Sequence, residues 1–338
     1  MALFPTVGRH QPKLRVAWWL LVAFLCLGVL LHLFPFYFMI VTSFKSGTEV
    51  FARPPTFWPQ EPTTAAWQLV FRLATGRLRT LMQHPFGVYF LNSLIMTLGT
   101  LLFSLPITSL AAYANSKLQR GRGARLTFLF FIGTMMVPAV VTLIPAFLLT
   151  RNFPFAFTTV PNIPGTGTPF PTVRIWNSYW AVILPGVFNA FNFLLFKGFF
   201  DTIPDSVIQA ARVDGGSELN IFRRIVLPMS VPVYAVCAWI QFSSVWDSFL
   251  WPAVVLQSSD VLPTSVAIYN IMNRLVAAGA TDAAQAFGQS QAMQDLLAAG
   301  LGWNGLMVLG LLQTIPIFIV FILCREYILK GIRIRGLK

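Results

Sequence analysis

Six runs of apolar residues divide this chain, at about 16–43, 88–116, 124–150, 177–200, 229–256 and 303–329. Crossing the hydrocarbon of a bilayer as a helix takes ~20 residues, and each run is long enough. Three connections, 44–87, 151–176 and 257–302, alternate with two more charged ones, 117–123 and 201–228. The pattern predicts an all-α integral membrane protein with six transmembrane helices, residues 1–338 forming one transmembrane domain. Arg9, Lys13 and Arg15 before the first run resemble the basic start of a secretory signal. That run is too long and lacks a small-residue cleavage site, so it is expected to remain as an anchor.

Composition agrees. Only 10% of the 338 residues are charged and 56% are hydrophobic, against about 25% charged in soluble domains. The net charge of +13 would suit a nucleic-acid binder, but the basic residues collect at the ends of apolar runs. Sixteen of the 24 Lys and Arg fall on one side of the alternation, in the amino-terminal tail, 117–125, 197–224 and the tail from Arg325. The positive-inside rule therefore predicts both termini in the cytoplasm, with membrane lipid and not nucleic acid around the chain.

Chemistry is sparse. Cys26, Cys237 and Cys324, like His10, His32 and His84, are scattered with no ligand spacing, so no metal site is expected. No Gly-x-x-x-x-Gly-Lys-Ser/Thr phosphate loop occurs, and ATP cannot be held in that way. The eleven acidic residues form no catalytic set, which weighs against an enzyme.

Within the apolar runs, polar residues stand out because they are costly there. Asp247 is the one acid well inside a run, with Gln241, Ser243 and Ser244 nearby. These residues either tie neighbouring helices together or line a solute passage. Asn189 and Asn192 in the fourth run carry the same two readings. Trp246 and Trp251 are belt or packing residues, or surfaces for stacking a sugar ring.

The connection 201–228 is the most informative. Its stretch "QAARVDGGSELNIFRRIVLP" begins after Pro204 and Asp205, which suit the first turn of a helix. Val207, Ile208 and Ala211 form one face, and Gly215-Gly216 end the helix through a left-handed C-cap. Ser217 caps a second helix with Glu218 in its first turn. Leu219, Phe222, Ile225 and Val226 share its apolar face, and Pro228 marks the exit. Such a segment can rest in the lipid interface or dock on a partner.

The same segment resembles the EAA loop of bacterial ABC importer permeases in Gln209-Ala210-Ala211, Asp214-Gly215-Gly216, Phe222 and Leu227-Pro228. Gln209 stands where those proteins carry Glu, and Gly216 where they carry Ala. The stretches "NSLIMTLGTLLFSLPITSLAAYA", "MMVPAVVTLIPAFLL", "VWDSFLWP" and "LKGIRIRGLK" are similar to the maltose/oligosaccharide-type permease branch. The resemblance implies a type I ABC importer permease fold in a bacterial inner membrane. It implies a coupling helix, with Phe222 as the apolar knob, seated in a cytoplasmic ATPase. The implied partners are a second permease subunit, two ABC ATPase subunits that bind the ATP and Mg, and an extracytoplasmic solute-binding protein reached by loop 257–302. No cofactor is expected in this chain. The alternatives are a permease of this type for a non-sugar solute, a membrane enzyme acting on lipid-linked sugars, and a stand-alone channel or carrier.

Overall fold

The computed structural model describes residues 12–74, 84–119, 121–154, 171–277 and 302–333. Most of loops 151–176 and 257–302, namely 155–170 and 278–301, and the basic end 334–338 lie outside the described residues. The helices are α1 (Pro12–Ser43), α2 (Ala65–Ala74), α3 (Phe86–Tyr113), α4 (Gly121–Met135), α5 (Ala139–Arg151), α6 (Trp180–Ile183) and α7 (Ala190–Phe200). They continue with α8 (Asp205–Val213), α9 (Glu218–Ile221), α10 (Leu227–Met229), α11 (Val231–Trp246), α12 (Leu250–Val255), α13 (Thr264–Ala277) and α14 (Trp303–Arg333). Among the described residues the only extended pairing is an isolated bridge between Phe153 and Val173. The chain is all-α.

Among the described residues four helices are long and apolar enough to cross a membrane, and the number reaches six if each of two bent pairs counts as one crossing. The run 124–150, expected as one span, is instead α4 and α5 bent by 98°. Pro138, at φ −60° and ψ 134°, explains the break. It has no N–H for the helix ladder, and its ring drives the preceding residue out of the helical region. The second bent pair is Glu218–Met229 with Val231–Trp246, at 80°, and the run 229–256 is also interrupted farther on. α11 ends at Trp246, and α12 begins at Leu250.

Two compact units are present. One holds α1, α2 and the amino-terminal part of α14. In it the Trp67 indole donates to the Ser43 hydroxyl at 3.2 Å, and the Asn304 amide donates to the Lys45 carbonyl at 3.1 Å. The second unit holds α3 to α12, residues 264–269 of α13 and the rest of α14, while residues 270–277 of α13 belong to the first. Its central element is α3, which packs on α7 and α11.

The buried face of α3 is a stripe of small polar residues: Ser93, Thr97, Thr100, Ser104 and Thr108. At helical spacing these let backbones approach closely, which is how helices associate where lipid supplies no hydrophobic drive. Several satisfy themselves within the unit. Thr100 donates to the Met96 carbonyl at 2.8 Å, and the Ser93 hydroxyl accepts the Thr264 amide at 2.8 Å. A Cβ on Gly186 would meet the Thr100 methyl at 2.7 Å, so glycine is what lets the 184–186 turn close on α3.

Gly186→Ala should therefore lower the Tm of the purified protein, at an overpacking cost of about 1–3 kcal/mol. Adding Thr100→Ser, which removes the methyl that is met, should restore most of the loss. Gly198→Ala, at an open position, should leave the Tm unchanged or raise it.

Candidate functional site: the 201–228 segment and its anchor on α3

The segment folds as its sequence dictates locally. Gly215 sits at φ +81°, the left-handed conformation that ends α8. The Gly216 amide donates to the Ala211 carbonyl at 2.9 Å and the Gly215 amide to the Arg212 carbonyl at 3.0 Å, the bond pair of a Schellman motif. A Cβ at Gly216 would meet the Ala211 carbonyl oxygen at 2.8 Å, so the second glycine is also required for close approach. Ser217 caps α9, accepting the Asn220 amide at 3.4 Å.

A polar staple fixes the turn. The Arg212 Nε donates to Glu218 Oε1 at 2.6 Å, bridging the helices on either side of the glycines. The Tyr113 hydroxyl, at the end of α3, donates to Glu218 Oε2 at 2.9 Å. Arg212, with a smaller contribution from Tyr113, holds the Glu218 carboxyl below its ordinary value of 4.5. Just beyond Tyr113, residues Ala114–Leu118 form a π-helical turn. From it Lys117 Nζ donates to the Ile203 carbonyl and to Asp205 Oδ1, both at 2.7 Å. Ser116 donates to Asp201 Oδ1 at 2.6 Å, and Lys197 pairs with the other oxygen of Asp201 at 2.7 Å. Tyr113, Ser116 and Lys117 carry no local sequence signal for this role, because their partners lie 85 to 105 residues away.

Phe222 requires a correction. Expected as an exposed knob, it is 5% exposed and packs on Tyr113 at 5.3 Å and Phe200 at 6.5 Å between ring centroids. The expected apolar face of Leu219, Phe222, Ile225 and Val226 is also revised. Residues Phe222–Val226 form a π-helical turn, whose i→i+5 bonding shifts the phase of the face. Ile221, Phe222 and Val226 turn inward, while Leu219 is 68% exposed. Gln209, Ala210, Asp214, Gly215, Leu227 and Pro228 are exposed, and Ala211 and Gly216 are half-buried. The apolar groups on the outer surface near the glycines are Val213, 88% exposed, and Leu219.

The residues singled out inside the spans divide into two sets. Asn189 caps α7, its side chain accepting the Asn192 amide at 2.9 Å. The Asn192 amide group donates to Gln241 Oε1 at 2.9 Å, joining α7 to α11 in a buried pair. Ser244 and Asp247 are exposed, Asp247 at the end of α11 where the span breaks. Trp246 is 1% exposed, stacked on Phe242 at 5.6 Å and edge-on to Phe90 at 5.2 Å. It is a packing residue and offers no face for a sugar ring. Trp251 donates its indole N–H to the Ala181 carbonyl at 3.0 Å.

Comparison with known proteins gives a consistent picture. Over 308 residues the chain is 26% identical to the sn-glycerol-3-phosphate transport system permease protein UgpE of Yersinia pestis bv. Antiqua (strain Antiqua), covering 91% of this chain and 93% of that one. It is 23% identical over 330 residues to the arabinooligosaccharides transport system permease protein AraQ of Bacillus subtilis (strain 168), covering 98% of this chain and 99% of that one. A chain in the crystal structure of a bacterial ABC transporter involved in the import of the acidic polysaccharide alginate has the same fold. The TM-score is 0.69 at 22% identity, covering 96% of this chain and 99% of the other. Residues 104–334 match the family of binding-protein-dependent transport system inner membrane components, and with more than half its length inside that match, the chain belongs to this family.

Proposed function

We propose that this chain is the permease subunit of an ATP-driven importer for a carbohydrate or related polyol, and that the 201–228 segment couples it to the motor. The observation that carries the coupling role is the staple. A helix–glycine–helix element is pinned by Glu218, Arg212 and Lys117 to the end of the central helix, while Val213 and Leu219 stay uncovered. A docked partner pushing on this element pushes on α3. The basic bias of 117–125 and 197–224 favours the cytoplasm for it, and for both termini. The names of the relatives, a glycerol phosphate and an arabinooligosaccharide system, support a hydroxylated solute.

In this reading two ABC ATPase subunits bind the ATP and Mg, and a second permease subunit completes a heterodimeric path. Loop 257–302 reaches the solute-binding protein. Gln209, Ala210, Ala211, Asp214, Gly215 and Gly216 form the docking surface with Val213 and Leu219, and Phe222, Leu227 and Pro228 transmit its movement inward. Asn189, Asn192, Gln241, Ser244 and Asp247 contribute to the solute path, Asp247 and Ser244 as exposed polar groups beside the break between α11 and α12. The test is uptake of labelled solute by the reconstituted four-subunit importer, with its binding protein and ATP present. Uptake that proceeds without an ATPase would overturn the reading.

Gly215→Val should abolish uptake while membrane levels stay normal, because a β-branched residue is strained at positive φ. Gly215→Asn, which tolerates that conformation, should retain a substantial fraction of the activity.

Leu219→Asp should lower co-purification of the ATPase without changing the Tm of the permease. Phe222→Ala should instead destabilise the permease itself by about 3–5 kcal/mol, as loss of a buried phenyl does. A normal Tm for Phe222→Ala would contradict the packing described.

The Glu218 staple sets a pH dependence. A carboxyl held below its ordinary value stabilises the fold fully above 4.5, and the stabilisation is lost as pH falls through the lowered native value. The Tm difference between wild type and Glu218→Gln should be constant at neutral pH and shrink as pH drops below 4.5.

A further inference from the structure

A second polar site lies far along the chain from the coupling segment, at the end of α1. Phe38, Thr42, Lys45, Glu49, Trp303 and Met307 line a cavity of about 240 Å³ there. It belongs wholly to the unit that contains α1. Lys45 is 2% exposed and Thr42 is 3% exposed, an unusual depth for an ammonium group.

The walls are held rigidly. Lys45 Nζ donates to the Thr56 carbonyl and lies 5.3 Å from the centroid of the Phe38 ring. Glu49 Oε1 accepts the Thr56 hydroxyl at 2.8 Å and the Gln60 amide at 3.0 Å. The Lys45 carbonyl is in turn bonded to Asn304 at the start of α14. Two buried atoms on these lining residues are left over. Glu49 Oε2 and Thr42 Oγ1 are buried and have no hydrogen-bond partner, a state that native proteins avoid because it costs about 1–3 kcal/mol per group.

We propose that this cavity is a binding site for a neutral polyhydroxylated molecule the size of one sugar ring, its hydroxyl groups bonded to the Thr42 hydroxyl and the Glu49 carboxylate and its carbon face set against Phe38 and Trp303. The charge balance selects neutrality. One ammonium and one carboxylate already offset each other, and the orphaned charged atom is the carboxylate oxygen, which repels anions. The volume corresponds to roughly eight waters at bulk density. Only two orphaned acceptors and the remaining Lys45 donors are available to hold such a cluster, and much of the lining is apolar. A molecule carrying both hydroxyls and C–H surface satisfies the two parts of the wall at once, as small-molecule sites do. None of these residues belongs to the proposed solute path, so the site is separate from transport through α7 and α11, although the class of ligand follows the carbohydrate reading.

Equilibrium dialysis of the purified full-length chain in detergent with radiolabelled glucose tests the site. Saturable binding is expected at one molecule per chain, with gluconate, of similar size but anionic, competing poorly. Thr42→Val and Glu49→Gln should each weaken glucose binding about tenfold, the equivalent of one lost buried hydrogen bond. Thr42→Val preserves the side-chain shape, so weakened binding at an unchanged Tm reports the missing hydroxyl alone. Gly198→Ala, at an open position in α7, should leave glucose binding intact. Absence of saturable binding, equal competition by gluconate, insensitivity to both cavity variants, or loss in Gly198→Ala would each overturn the proposal. Uptake by the reconstituted importer is read separately, so failure of the transport reading leaves this binding result standing, and the reverse.

Discussion

Tyr113 is the point on which the 201–228 segment depends. Its hydroxyl holds Glu218, and its ring packs against Phe222. One side chain thus carries both a charge-assisted hydrogen bond at the membrane edge and an aromatic contact in the core. A bond to a carboxylate is among the stronger ones a neutral donor can make. Because Tyr113 sits at the last turn of α3, the segment and the central helix cannot move independently without breaking both contacts.

From Tyr113 the packing is continuous. Phe200 lies 6.3 Å away, Phe196 is stacked on Phe200 at 5.9 Å, and Tyr234 meets Phe196 at 4.6 Å. The Tyr234 hydroxyl donates to Ser109, back on α3. The ring of contacts therefore passes through α7 and α11 and closes on the helix where it began. Large aromatic side chains at interior density transmit displacement because they have few alternative rotamers to absorb it. A segment mounted on such a cluster is suited to move three helices together.

The interior treats its polar residues differently from its aromatic ones. Asn192 and Gln241 tie α7 to α11 in a fully buried pair, and the Ser/Thr stripe lets α3 approach its neighbours. Asp247 and Ser244, in contrast, lie exposed at the interruption between α11 and α12. Irregular backbone at membrane depth is tolerated where it is covered by protein or lines a water-filled space. The break leaves these polar groups uncovered, while the unbroken stretches of helix hold the bundle of this unit together.

The sequence by itself determined whatever depends on near neighbours. Apolar run length marked the helices that can cross a bilayer, and the Gly215-Gly216 pair with Ser217 marked the hinge and its cap, because caps are set by three or four consecutive residues. Pro138 carried a legible break, yet the run around it reads as continuous by hydropathy, and only the fold sets the 98° bend. The inward turn of Phe222 was not legible. Helical periodicity assumes 3.6 residues per turn, and the π-helical turn over Phe222–Val226 changes which residues share a face. The partners of Tyr113, Ser116 and Lys117, the packing of Trp246 on Phe90, and the cavity built from Thr42, Glu49 and Trp303 were decided by tertiary structure alone. Each joins residues tens to hundreds of positions apart, and no local pattern records which distant side chain will arrive beside them.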